Sequence, residues 1–204
     1  MTDTKKQIVV FGAGGRAGRA IVAEAASRGH QVTAVVRDPA RHAGLAAAGV
    51  TVRAGDVADP AAAAGHDIAV NAAADLAADP GTFFPAAAKA LASSTVERVV
   101  SVGLASVLAD ATGTLLMDTP GYPQEYRGFY LGHAAGTAAL AASGAEWVVL
   151  SPAGDFDHAG GRTGRYTITA GDAGSRVSYP DFAVAVLDEI ERPAHSRTHI
   201  GVGG

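Results

Sequence analysis

The stretch Gly12-Ala13-Gly14-Gly15-Arg16-Ala17-Gly18 comes directly after the apolar run Ile8-Val9-Val10-Phe11 and leads into the helical pattern Ala20-Ile21-Val22-Ala23-Glu24-Ala25-Ala26. Strand, glycine turn and helix in that order open a βαβ unit of the kind that holds a dinucleotide. Gly12 permits the tight turn, and Gly14 or Gly15 lets the backbone approach a pyrophosphate. A small residue at Ala17 or Gly18 lets helix and strand pack closely. The helix N-terminus then offers unpaired N–H groups and the positive end of its dipole to the phosphates. Glycine and alanine are abundant in this chain, so the same letters also fit an ordinary glycine turn. Placement after a strand near the start of the chain favours the nucleotide.

Further β-rich runs at 31–36, 51–53, 67–71, 98–102 and 146–151 alternate with helix-length segments. That alternation predicts a Rossmann-type α/β fold, a doubly wound parallel sheet with helices on both faces. Asp38-Pro39 and Asp59-Pro60 each place a capping acid before a proline at a helix start, while Gly29, Gly49 and Gly144 read as helix stops. A late amphipathic helix is expected over 181–191 and a last strand over 198–202. Between them the pattern turns irregular at 103–123 and 152–165, where loops at the ligand edge of the sheet would cover a substrate. No linker divides the chain, so 1–204 is expected to form a single domain.

The 204 residues contain no cysteine, which removes disulfides, thiolate nucleophiles and cysteine metal sites. The histidines other than His133 show no metal-ligand spacing, so no metal is expected. A net charge of -4 without a basic run argues against nucleic acid as a partner. No apolar stretch approaches the length needed to cross a bilayer, and residues 1–6 lack a leader's apolar centre. A cytoplasmic enzyme acting on a small molecule, with neither membrane nor nucleic acid as partner, is the expectation.

The second strand run ends Val35-Val36-Arg37. An acid there would accept the ribose hydroxyls of NAD, whereas arginine matches the 2′-phosphate of NADP. Arg37 therefore favours NADP, with Arg16 and Arg41 as helpers; a solvated strand-end arginine is the plainer alternative. Asp56 and Val57 follow the third strand, where a carboxylate either accepts the adenine amino group or caps the next turn. Asn71-Ala72-Ala73 ends the fourth strand with small residues against which a cofactor lies close to the backbone.

With these features in view the chain resembles atypical short-chain dehydrogenases with an NAD(P)-binding domain. It is most similar to the group named NADH-flavin reductases, related in layout to biliverdin reductase B. The segments that carry the resemblance are Asp118-Thr119-Pro120, Tyr122-Pro123-Gln124-Glu125-Tyr126, the run from Glu146 to Pro152, Gly161-Arg162-Thr163-Gly164-Arg165-Tyr166 and Val177-Ser178-Tyr179-Pro180-Asp181-Phe182-Ala183. The resemblance implies a nicotinamide near the ends of strands four to six, beside Ser101 and Pro152. Ordinary short-chain dehydrogenases use a tyrosine with a lysine four residues later, and this chain has no Tyr-x-x-x-Lys. The resemblance puts Phe129 at the tyrosine position and His133 at the lysine position, where the imidazole either hydrogen-bonds the cofactor or relays a proton as a catalytic group, or is a helix-surface histidine with no task. Tyr126, three residues from 129, is the candidate substitute acid. Ser106, with Ser101, flanks the end of the fifth strand, although the relatives' serine falls closer to Leu104.

A flavin or conjugated tetrapyrrole accepts hydride with little help from a protein acid, since solvent supplies the proton. The expected activity is therefore hydride transfer from NADPH to a flavin, such as FMN or FAD as substrate, or a similar acceptor. Two alternatives stay open: a non-reductive isomerase or dehydratase that retains its cofactor, and an NADP-sensing regulator of the NmrA type. Arg162 and Arg165 either attract an anionic acceptor or pair with nearby acids to hold their loop.

Overall fold

The computed structural model describes residues 5–204, so the reading of residues 1–6 falls mainly outside it. Along the chain the strands are β1 (Gln7–Phe11), β2 (Gln31–Val36), β3 (Val50–Ala54), β4 (Ile68–Asn71), β5 (Arg98–Val102) and β6 (Trp147–Pro152). Short strands β7 (Asp155–Asp157), β8 (Thr167–Thr169) and β9 (Arg176–Ser178) follow, and β10 (Thr198–Gly203) closes the chain. The main sheet runs β3-β2-β1-β4-β5-β6-β10-β8, with β8 antiparallel on the edge and the other neighbours parallel. The order reverses between β1 and β4, which opens a crevice at their carboxyl ends.

The central strands are apolar on both faces because helices cover both. In β1, Ile8, Val9 and Val10 are fully buried. Helices α1 (Arg16–Ser27) and α4 (Tyr179–Glu191) share one face with Ile8, Val10, Val32 and Val148. Helices α2 (Pro80–Ala92) and α3 (Arg127–Ala141) cover the other, against Val9, Phe11, Val99 and Trp147. The result is a single α/β domain of Rossmann type. No helix among the described residues is long and apolar enough to cross a membrane.

The seven expected strands fall within a residue or two of their expected positions, whereas the three-residue strands β7, β8 and β9 carry too short a pattern to have been expected. Helix α4 begins at Tyr179 because the Ser178 hydroxyl caps it by accepting from the Asp181 N–H. Asp38 and Asp59 do cap, accepting from the N–H groups of Ala40 and Ala61, yet what they start are short 3-10 turns, Pro39–Leu45 and Pro60–Ala63. Gly29 closes α1 with a φ of 84°. Gly49, also left-handed at 77°, sits instead in the tight turn entering β3, where Ala47 bridges Val50.

The 152–165 segment is ordered by side chains distant in sequence, whereas the side-chain hydrogen bonds of 103–123 come from within ten residues, as in Arg127 to Asp118. In the 152–165 segment, Asp181 accepts from the N–H groups of Thr163 and Gly164 and from the Thr163 hydroxyl, each at 2.8 Å. Burial alone would raise the Asp181 pKa, but these donors outweigh it and hold the carboxyl below its usual range. Arg162 pairs with Glu24 of α1 through two hydrogen bonds of 2.8 and 3.0 Å. It is thus held as a loop clamp, while Arg165 stays exposed.

Candidate active site

The glycine turn owes its shape to backbone crowding. Gly12 adopts a φ of 71°, and a Cβ there would lie 2.4 Å from the carbonyl oxygen of Ala72. At Gly18 a Cβ would come within 2.2 Å of the Gly12 oxygen, so this glycine lets α1 press against the turn. Gly15 caps α1 without a side-chain hydrogen bond, and its nearest neighbour to a Cβ is 3.4 Å away. Among the described residues, the N–H groups of Arg16, Ala17 and Gly18 donate to no backbone carbonyl. A helix start with free donors and open space is suited to an anion.

From this turn a cavity of about 370 Å³ runs across the ends of β1, β2 and β4. Gly12, Gly14 and Gly15 line one end, and Arg37, Asp56, Val57, Ala72 and Ala73 line the rest. Arg37 stands at the mouth, 74% exposed, with its Nη1 2.8 Å from an Asp75 carboxylate oxygen. Asp56 both faces the cavity and caps the next turn, accepting from the Ala58 N–H at 2.8 Å. Arg16 turns toward the 152–165 segment and touches His158.

One row of residues in direct register crosses the sheet: Val35, Phe11, Asn71, Ser101, Val149 and His199, from β2 to β10. Registered neighbours share a face, here the one under α2 and α3. Phe11 belongs to the large cavity, while Asn71, Ser101 and Val149 line a second pocket of about 20 Å³ with Gly103, Thr137 and His133 of α3. His133 lies against Phe84, ring centroids 3.8 Å apart, and edge-on to Phe129 at 4.9 Å. Burial, with His199 nearby, pushes its pKa down to about 4. Burial lowers His199 likewise to about 4, and its Nε2 lies 2.7 Å from the Ser151 hydroxyl. Near neutral pH both imidazoles are uncharged, so His133 can offer or accept a hydrogen bond but holds no ionisable proton to give.

A family model described as NAD(P)H-binding matches residues 12–193. The chain belongs to this NAD(P)H-binding family. It is 36% identical to the uncharacterised protein YwnB of Bacillus subtilis, over 96% of this chain and 97% of that one. Among solved structures it is similar to a putative NADH-flavin reductase from Streptococcus pneumoniae, at 28% identity and a TM-score of 0.84, covering 97% of this chain and 99% of that one. It is equally similar in sequence to a putative epimerase from Bacteroides thetaiotaomicron, at 28% identity and a TM-score of 0.86, covering 98% and 97% of the two chains.

As an NAD(P)H-binding protein the chain carries a cradle that fits its cofactor: glycines whose Cβ atoms would fill the turn, and unpaired donors above them. The sequence-based candidates fall into three groups. Gly12, Gly14, Gly15, Arg37, Asp56, Val57, Ala72 and Ala73 line the large cavity, with Arg16, Ala17 and Gly18 in the first turn of α1 beside it. Asn71, Ser101 and His133 meet in the small pocket. Tyr126, Ser106 and Pro152 line neither cavity. Tyr126 is the residue preceding α3 and is 59% exposed, whereas Ser106 is fully buried with its hydroxyl unpartnered. Pro152 is buried at the end of β6. Sequence reasoning missed His42 and Asp75 in the large cavity and the Ser151–His199 pair beside the pocket. None of these carries a local motif, and the pair needs the register of β6 against β10.

Proposed function

We propose that the protein is an NADPH-dependent reductase that delivers hydride to a flavin or a similarly conjugated small molecule. The observation that carries this reading is the character of the small pocket. Its titratable side chain, His133, is neutral, and Phe129 stands where a tyrosine acid would be expected. Bound with its nicotinamide toward that pocket, the cofactor would supply a hydride, and a conjugated acceptor takes it up together with one proton from solvent. The residues of the chain then bind, orient and exclude: Ser101 and Asn71 offer neutral hydrogen bonds, and Phe84 and Phe129 keep His133 dry. Arg37 favours NADPH over NADH, since its exposed pairing with Asp75 is weak enough to yield to a 2′-phosphate.

The likeness to a protein named as an epimerase supports a second reading, in which the cofactor is retained and the net reaction is not redox. Following NADPH absorbance with the pure protein and a panel of flavins, quinones and carbonyl compounds separates the two. Oxidation of NADPH that depends on flavin and protein is expected. Turnover of a small molecule without net NADPH loss would favour the second reading, and indifference to every flavin and every quinone would refute the first.

A further inference from the structure

His42 lines the large cavity together with the glycine turn and Arg37, and it sits on the short 3-10 segment that follows β2. Its ring occupies the space a side chain at Gly14 would need: a Cβ there would lie 2.6 Å from Cε1 and 2.7 Å from Nε2. Arg19, on the first turns of α1, fixes this ring. Its Nε donates to the Gly14 carbonyl at 2.8 Å and its Nη2 lies 3.0 Å from His42 Nδ1.

That contact decides the tautomer. A guanidinium has donors only, so Nδ1 must be the acceptor and the neutral ring carries its hydrogen on Nε2. The Nε2–H is therefore a donor on the Gly14 side of the cavity. The charged groups around it are Arg19 behind the ring, and Arg37, Asp75 and Asp56 along the same cavity. Val36 and Arg37, where the second strand terminates, line the same cavity as this imidazole donor, and that is the adenosine ribose end in a fold of this kind.

We propose that His42 is a cofactor-binding residue which donates from Nε2 to the 2′-phosphate of NADP(H), and that Arg19 is its positioning residue. The assignment rests on the NADPH reading above and adds to Arg37 a second, oriented contact. A phosphate oxygen is a charged acceptor and a ribose hydroxyl a neutral one, so the same donor contributes more to the phosphorylated ligand. His42 is thereby a specificity residue and not merely a wall of the cavity.

Calorimetric titration with adenosine 2′,5′-bisphosphate and with 5′-AMP tests this without substrate or turnover. The wild-type protein is expected to prefer the bisphosphate. His42→Ala should lose about tenfold in bisphosphate affinity, the size of one charge-assisted hydrogen bond, and change little toward 5′-AMP. His42→Gln, whose amide can place a donor near Nε2, should keep most of the preference, and Arg19→Met should lose part of it. Thermal melts of each variant establish that it is folded. Equal losses for both ligands would make His42 a shaping residue, and an unchanged preference would make it only a neighbour of Gly14; either overturns the assignment. A wild-type protein indifferent to the 2′-phosphate, with Arg37→Ala equally indifferent, would instead overturn the NADPH reading itself.

Discussion

Two glycines of one turn differ sharply in what a methyl group would meet. At Gly18 the obstacle is the Gly12 carbonyl, 2.2 Å away, with the Ala13 Cα at 2.8 Å, and backbone has nowhere to retreat. At Gly15 the nearest atom is 3.4 Å off. Gly18→Ala should therefore destabilise the fold by roughly 1–3 kcal/mol as an overpacking change, while Gly15→Ala should leave stability within about 0.5 kcal/mol. Denaturant unfolding of both variants checks the contrast, and equal losses would show that the helix does not press on the turn as described. Both positions were legible as members of one glycine pattern. Which of the two is crowded was not, because the crowding comes from the path of the turn itself.

Helices α1 and α4 are joined by ions as well as by apolar packing. Arg28, near the end of α1, reaches Asp188 and Glu191 of α4 at 2.7 Å each and Glu24 at 2.9 Å. Glu24 in turn takes the Arg162 clamp of the 152–165 segment, so one buried carboxylate ties a helix to the loop beside the glycine turn. The Arg162 hydrogen bonds, aided by Arg28, hold Glu24 below its usual pKa despite burial. Glu24→Gln should cost about 1.5–3 kcal/mol at neutral pH, the range for hydrogen bonds to a charged group. It should also speed proteolysis within 152–165. Because the folded-state pKa is lowered, the carboxylate's contribution is present above pH 4.5 and fades as pH falls through the folded value. The gap between variant and wild type, read by chemical denaturation, should therefore narrow in acid. A gap that stays constant with pH would mean that the charge on Glu24 contributes nothing. The existence of α1 and of α4 was readable from apolar spacing, but this junction was not, since its partners lie 138 and more residues apart.

Across the whole molecule, acid sensitivity above pH 4.5 should come from two uncharged imidazoles, His133 on α3 and His199 on β10. His133 and His199 titrate near pH 6.5 when unfolded and near 4 when folded, so between those values the unfolded chain binds more protons. The histidine contribution to stability should fall as pH drops from about 6.5 toward 4 and change no further below, where carboxylates such as Glu24 take over the loss. The double variant His133→Gln with His199→Gln should flatten that fall, as measured by urea midpoints across the range. A wild-type midpoint that is constant from pH 7 to pH 4 would rule out buried neutral histidines. The positions of the main strands, the doubly wound α/β class and the place of the glycine turn could be read from the chain, because each rests on contiguous signals: apolar runs that fill a doubly covered sheet, and glycines that local backbone geometry demands; the spatial order of the strands came only with the assembled sheet. The pairing of Ser151 with His199 across 48 residues, the seat of His42 against Gly14 and the exclusion of Tyr126 and Ser106 from both cavities arise only when distant segments pack. Side-chain chemistry at such sites depends on register and burial, which are properties of the assembled sheet and its helices and not of any local run of residues.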